Sequence, residues 1–391
     1  MKTVVPEAGR GKEGACSIAA ASGCARFRET VVWFLAISQN EGRRMMADGM
    51  ITAGMLRYTK MRLATLLLLI APISAVAAPC QSVADCTEWI TLAGGPARSM
   101  VYRSQPLGTK NPAITRALIV IHGASRDADN YFRTTLAAAY LAGALDDTAL
   151  IVPRLASADG TCRDKLAENE IAWPCSGNSW RAGGTAPDNP KVNSFDLTDE
   201  ILRRLAKKDA FPNLASIVVA GHSAGGQYVN RYSMSNTVHE SLGVPVSYVV
   251  ANPSSYGYLD TDRPRGEGLE FGTFSDGRNC TTFNKWPYGL DDRTGYTAKL
   301  TVDQIKHNLS TRPIAYLLGE IDILPLGGFD ASCPAMAQGP TRRARGESYQ
   351  KYVEKKLGAK QEVVQVHLCG HNARCMFTAD EAAPLLFPKK K

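Results

Sequence analysis

The stretch Ser216 to Asn230, SIVVAGHSAGGQYVN, sets a serine where it can become a nucleophile. The β-branched run Ile217-Val218-Val219 leads straight into Gly221-His222-Ser223-Ala224-Gly225-Gly226, and a helix-compatible segment follows. Glycine-x-serine-x-glycine between a buried strand and a helix forms a sharp turn. The turn strains the serine backbone and lifts its Oγ above the sheet. Gly221 and Gly225 lack a Cβ, so strand and helix can approach closely there. The helix N-terminus behind Ser223 directs N–H groups and the positive end of a dipole toward a developing oxyanion. Ser223 is thus expected to attack an acyl carbon; a tight strand–helix turn with no chemistry is the alternative.

Such a serine needs a base, and the base needs an orienting acid. In this strand–turn–helix setting they follow in the order serine, acid, histidine. The run Pro313–Leu318 (PIAYLL) predicts a buried strand, and Gly319-Glu320-Ile321-Asp322 comes at its C-terminal end. Asp322 is the first choice for the acid. Glu320, in the same turn, is the alternative, and a turn or cap role for Asp322 is the other. Of six histidines, only His367 and His371 follow the acid. His367 falls within the alternating run VVQVHL and is expected to pack there. His371 lies beyond it in Cys369-Gly370-His371-Asn372, on a loop able to reach over the sheet edge, and is assigned as general base. Two amides are expected to hold the oxyanion. One is that of Ala224, after the nucleophile. The other is that of Ala124, in His122-Gly123-Ala124 behind the predicted strand Arg116–Ile121. His122 is expected to pack and hydrogen-bond in that turn.

Together HGA, GHSAGG, GEID and GHNARCMF resemble the α/β-hydrolase superfamily. They are most similar to secreted serine esterases of the polyhydroxyalkanoate-depolymerase and feruloyl-esterase type. The resemblance runs from about Leu118 to Phe377. It implies a serine hydrolase that cleaves carboxylic esters through Ser223, Asp322 and His371, without metal or organic cofactor. A serine peptidase or amidase on the same fold stays open, as does a catalytically silent binding protein. The linker after the acid, LPLGGFDASCPAMAQGPTRRARG, departs from the pattern in its length and its own cysteine.

The elements that must position these residues alternate. Strands are expected at Glu88–Leu92, Ser99–Arg103, Arg116–Ile121, Ala149–Val152, Ser216–Ala220, Val246–Ala251, Ile314–Leu318 and Glu362–His367. Helices are expected at about 129–145, 194–207, 224–235, 302–309 and 343–357. This order predicts an α/β fold: a mainly parallel central sheet, helices on both faces, and loop insertions at its C-terminal edge. Two stretches, 156–192 and 252–297, break the alternation. Long irregular segments at that edge commonly form the ligand site. Trp180, Tyr256, Tyr258, Trp286 and Tyr288 within them are candidates for a substrate wall suited to an aryl or polymeric ester; ordinary packing is the alternative for each. Both stretches are polar and glycine-rich, unlike the apolar lid of a lipase.

Residues 61–78, MRLATLLLLIAPISAVAA, carry a basic start, a short apolar run and a small-x-small end at Ala75-Val76-Ala77. These are the marks of a secretory signal peptide, which is too short for a comfortable membrane span. Residues 55–77 are therefore read as signal peptide. Residues 1–54 are read as an over-extended reading frame or a pre-sequence, and 78–391 as a single catalytic domain. Eight cysteines lie beyond residue 77, an even number that suggests disulfides in an exported chain, periplasmic or extracellular. Spacing favours Cys80–Cys86, Cys162–Cys175 and Cys369–Cys375 as local loops, leaving Cys280–Cys333. No C-x-x-C pair supports a zinc site. The net charge of +8 is mostly N-terminal. The first 77 residues hold ten basic and five acidic side chains, and the remainder carries +3. With no basic stripe, nucleic-acid binding has no support. Nothing in the pattern fixes an oligomeric state.

Overall fold

The computed structural model describes residues 78–266 and 270–389; the expected signal peptide and the segment before it lie outside them. The apolar runs become eight strands of one sheet. They are β1 (Thr87–Thr91), β2 (Arg98–Arg103), β3 (Arg116–Ile121), β4 (Thr148–Pro153), β5 (Ser216–His222), β6 (Val246–Ala251), β7 (Ile314–Gly319) and β8 (Glu362–Val366). Their spatial order is β1-β2-β4-β3-β5-β6-β7-β8. β2 pairs antiparallel with both its neighbours, and every pair from β4 to β8 is parallel.

Continuous apolar runs in β3 and β5 follow from burial on both faces. Side chains alternate across a strand. Ile119 and Ile121 of β3 therefore join one core, and Leu118 and Val120 the other. The first core lies under α2 (Ser194–Leu205), α3 (Ala224–Ser235), α4 (Val302–Thr311) and α5 (Arg342–Leu357). The second lies under α1 (Ala128–Leu141) and α6 (Ala373–Thr378). Local chemistry marks the ends. Thr301 and Gln304 form a capping box before α4. Gly358 closes α5 in the left-handed conformation.

The two irregular stretches contain short hairpins, Thr185–Ala186 with Asn189–Asn193 and Asp262–Arg265 with Glu270–Thr273. Pro190 and Pro264 fall inside these strands, and proline in a short polar run argues against a strand from sequence alone. His367 does not pack in a strand as expected. β8 stops at Val366, and the His367 side chain is 70% exposed with its Nδ1 2.7 Å from Glu320 Oε2. The cysteines pair as the spacing favours: Cys80–Cys86, Cys162–Cys175, Cys280–Cys333 and Cys369–Cys375.

Candidate active site

Ser223 sits between β5 and α3 with φ 60° and ψ −119°, a conformation disfavoured for any residue with a side chain. Strain of this kind costs on the order of 1–3 kcal/mol and persists only where the surroundings enforce it. Here its N–H donates to the Ala251 carbonyl at 2.9 Å. Helix α3 is pressed onto the sheet: a Cβ on Gly225 would collide with the Ile121 carbonyl, and one on Gly221 with the Gly225 carbonyl.

The three residues that the sequence spreads over 149 positions meet in one line. His371 Nε2 lies 2.9 Å from Ser223 Oγ, and His371 Nδ1 lies 2.8 Å from Asp322 Oδ2. Asp322 is 2% exposed. A carboxylate accepts, so the imidazole carries its proton on Nδ1 and leaves Nε2 to accept from the serine hydroxyl. Glu320 turns outward, accepting from the Leu368 amide at 2.9 Å. That amide, with His367 close by, holds its carboxyl below the usual range.

Asn252, at the end of β6, joins the acid turn to the histidine loop. Its Oδ1 accepts from the Gly319 amide at 2.8 Å and its Nδ2 donates to the Gly370 carbonyl at 3.2 Å. The Ile321 amide donates to the Cys369 carbonyl at 3.0 Å. Arg342 meets the carboxylate oxygen of Asp322 that the imidazole does not use, with Nη1 3.4 Å from Oδ1. Sequence reasoning found neither Asn252 nor Arg342, since no local spacing announces contacts of this range.

A cavity of about 700 Å³ opens over Ser223. Ala124 lines it and Ala224 begins α3; neither amide has an acceptor among the described residues. His122 behaves as the turn requires. Its Nδ1–H donates to the Gly123 carbonyl at 2.9 Å, and its Nε2 accepts from the Leu155 amide at 3.2 Å. Burial pulls its pKa down to about 4, so it stays neutral. His222 stands behind His371, ring centres 4.7 Å apart, with Nδ1 3.2 Å from the Tyr131 hydroxyl. Burial, then His371 and Arg342, push it well below its ordinary pKa, so it adds no charge beside the imidazole.

The expected substrate wall is not the wall of this cavity. Trp180 is buried between His122 and Tyr228, with the Arg126 guanidinium 4.7 Å from its ring. Tyr256 stacks on Tyr349 at 4.5 Å inside the core, and Tyr258 packs against Tyr352. Trp286 is half-buried, its indole N–H on the Ala182 carbonyl at 2.9 Å. Tyr288 donates to Asp330 Oδ2 at 2.7 Å and holds two loops together. Long irregular segments must bury apolar area of their own, and these rings provide it. The cavity is lined instead by Asn130, Tyr131 and Thr134 of α1, by Asn372 and Arg374, and by Gly327 and Gly328. On the segment leading to Gly327, Ile321, Ile323, Leu324 and Leu326 are exposed, as is Leu368 after β8. An apolar loop therefore borders the site, where the sequence suggested polar, glycine-rich ones.

No family model matches the chain, and no curated protein matches it. Solved structures do resemble it. The poly(aspartic acid) hydrolase-1 of Sphingomonas sp. KT-1 is 22% identical, with a TM-score of 0.54, over 77% of this chain and 98% of that one. The poly(3-hydroxybutyrate) depolymerase of Bordetella parapertussis is also 22% identical, with a TM-score of 0.50, over 74% of this chain and 84% of that one. The likeness is one of fold.

Proposed function

We propose that this chain, which has the α/β-hydrolase fold, is an exported serine hydrolase that cleaves carboxylic esters. The observation that carries the reading is the unbroken line from Asp322 Oδ2 through His371 to Ser223 Oγ, at 2.8 and 2.9 Å. Ser223 attacks the ester carbonyl while His371 takes its proton. The Ala224 and Ala124 amides hold the tetrahedral oxyanion. His371 returns the proton to the departing alcohol, and water, activated by the same imidazole, releases the acid from Ser223. Asp322 holds the tautomer and stabilises the imidazolium.

Within esters, a polymeric or otherwise extended apolar substrate is favoured over an aryl one. The aromatic rings that suggested an aryl group are buried or tied into loop packing, whereas the exposed apolar side chains of Ile321, Ile323, Leu324 and Leu326 lie on the segment that runs into Gly327 and Gly328 of the cavity wall. The two similar folds act on polymers, one a polyester and the other poly(aspartic acid), which agrees with a polymeric substrate and leaves the ester to rest on the site. Four disulfides support export, since such bonds persist in oxidising compartments. No helix among the described residues is long and apolar enough to cross a membrane.

The test compares p-nitrophenyl esters, a poly(3-hydroxybutyrate) film and peptide anilides with the purified chain. Ester cleavage that falls by several orders of magnitude in Ser223→Ala is expected. Anilide cleavage with no ester cleavage would move the reading to a peptidase or amidase. Export is read from the N-terminus of the mature chain, expected at Ala78 or within a residue or two. A mature chain retaining residues before Met61 contradicts it.

A further inference from the structure

We infer that Arg342 is a positioning residue for the acid: it orders the Asp322 carboxylate and, with the same guanidinium, pins the loop that walls the cavity. The inference rests on the assignment of Ser223, His371 and Asp322 above. The carboxylate divides its oxygens, Oδ2 to the imidazole at 2.8 Å and Oδ1 to Arg342 Nη1 at 3.4 Å. Both side chains of this ion pair are out of solvent, at 0% and 2% exposure. Two further nitrogens are committed elsewhere: Nε donates to Ser254 Oγ at 2.8 Å, and Nη2 donates to the Gly327 carbonyl at 2.8 Å. Gly327 faces the base directly, since a Cβ built on it would lie 3.5 Å from His371 Cδ2.

The guanidinium thus joins three parts of the site: the acid, the segment after β6 through Ser254, and the cavity wall. Its planar fork can serve three acceptors in fixed directions, which an ammonium cannot. Leaving a buried cation unpaired is costly, and here all three donor groups of the guanidinium find an acceptor. Arg345, one turn along α5, is a built-in control. It is also buried, and Phe329 lies within 5.3 Å of both guanidinium groups. Arg345 donates to the Gly339 carbonyl at 2.8 Å and the Asp330 carbonyl at 2.9 Å, and makes no hydrogen bond to Asp322. It holds the same loop without touching the acid.

The variants Arg342→Lys, Arg342→Gln and Arg345→Lys are compared in the full chain on a small soluble p-nitrophenyl ester. Rates are expressed per active site titrated with a fluorophosphonate. A carboxylate displaced by about 1 Å can cost ~10²-fold in rate. Arg342→Gln is therefore expected to lose about that much in kcat, and Arg342→Lys roughly 10-fold, with KM changed less than about twofold. Arg345→Lys is expected to lose clearly less than Arg342→Lys. If Arg342→Gln does not fold, Arg342→Lys decides. A kcat within about threefold of wild type in a folded Arg342 variant overturns the inference, as does an equal loss in Arg345→Lys. A wild type that the fluorophosphonate fails to label removes the hydrolase reading as well. A labelled wild type beside unimpaired Arg342 variants removes this inference alone.

Discussion

Asp322 and Glu320 stand two residues apart in one turn, and the sequence alone left the choice between them open. Geometry separates them: one is buried against His371, the other faces solvent beside His367. On this account Asp322→Asn lowers kcat by on the order of 10⁴, because an amide turns the imidazole to the wrong tautomer. Glu320→Gln changes it little. Steady-state rates on a soluble ester check both, and reversed results would make Glu320 the acid. Ser223 and His371 were legible because local grammar marks them, a strand–turn–helix around the one and a post-strand loop around the other. Asn252 was not, because its two partners lie 67 and 118 residues along the chain. The misplacement of His367 has a simple cause. Alternation predicts which face a residue takes only while the strand lasts, and β8 ends one residue earlier.

Among the elements, the histidine loop is short and held at several points. The Asn372 side chain caps α6 by accepting from the Cys375 amide at 3.0 Å, and Cys369–Cys375 closes the loop around His371. Six residues of separation make a small ring, so the chain-entropy gain is modest, roughly 2 kcal/mol or a little more. The larger effect belongs to His371, whose reach to Ser223 depends on where this loop stands. Replacing both cysteines by serine should lower kcat by more than the fall in melting temperature would suggest, ~10-fold or beyond if the base drifts by a fraction of 1 Å. Peptide mapping without reduction comes first. Either cysteine found free, or joined to Cys333, defeats this expectation. The parallel strands were legible nearly to the residue, β3 and β6 with the expected bounds, because burial on both faces leaves unbroken apolar runs. The hairpins were not, being short, polar and interrupted by proline.

Across the whole molecule, strand order decides which loops meet, and no single segment encodes that order. The loops expected to wall the site carry Trp180, Tyr256 and Tyr258 inward into the first core, with Trp286 packed against it. The loop after β7 borders the cavity instead, because β7 and β8 lie side by side and bring the acid turn next to the histidine loop. Its composition, Ile-Leu-Pro-Leu-Gly-Gly, offers no polar group to satisfy and leaves four of its neighbourhood's side chains, Ile321, Ile323, Leu324 and Leu326, to the solvent. The sheet, the turn at Ser223 and the loops converge on one claim, that Ser223 is a nucleophile activated by His371. The measurement that tests it most directly is peptide mapping of the purified chain after reaction with a fluorophosphonate. The account requires a single adduct, on the peptide that holds Ser223, formed far more slowly in His371→Ala and absent in Ser223→Ala. No adduct on the folded wild type, or one carried by another residue, would contradict it.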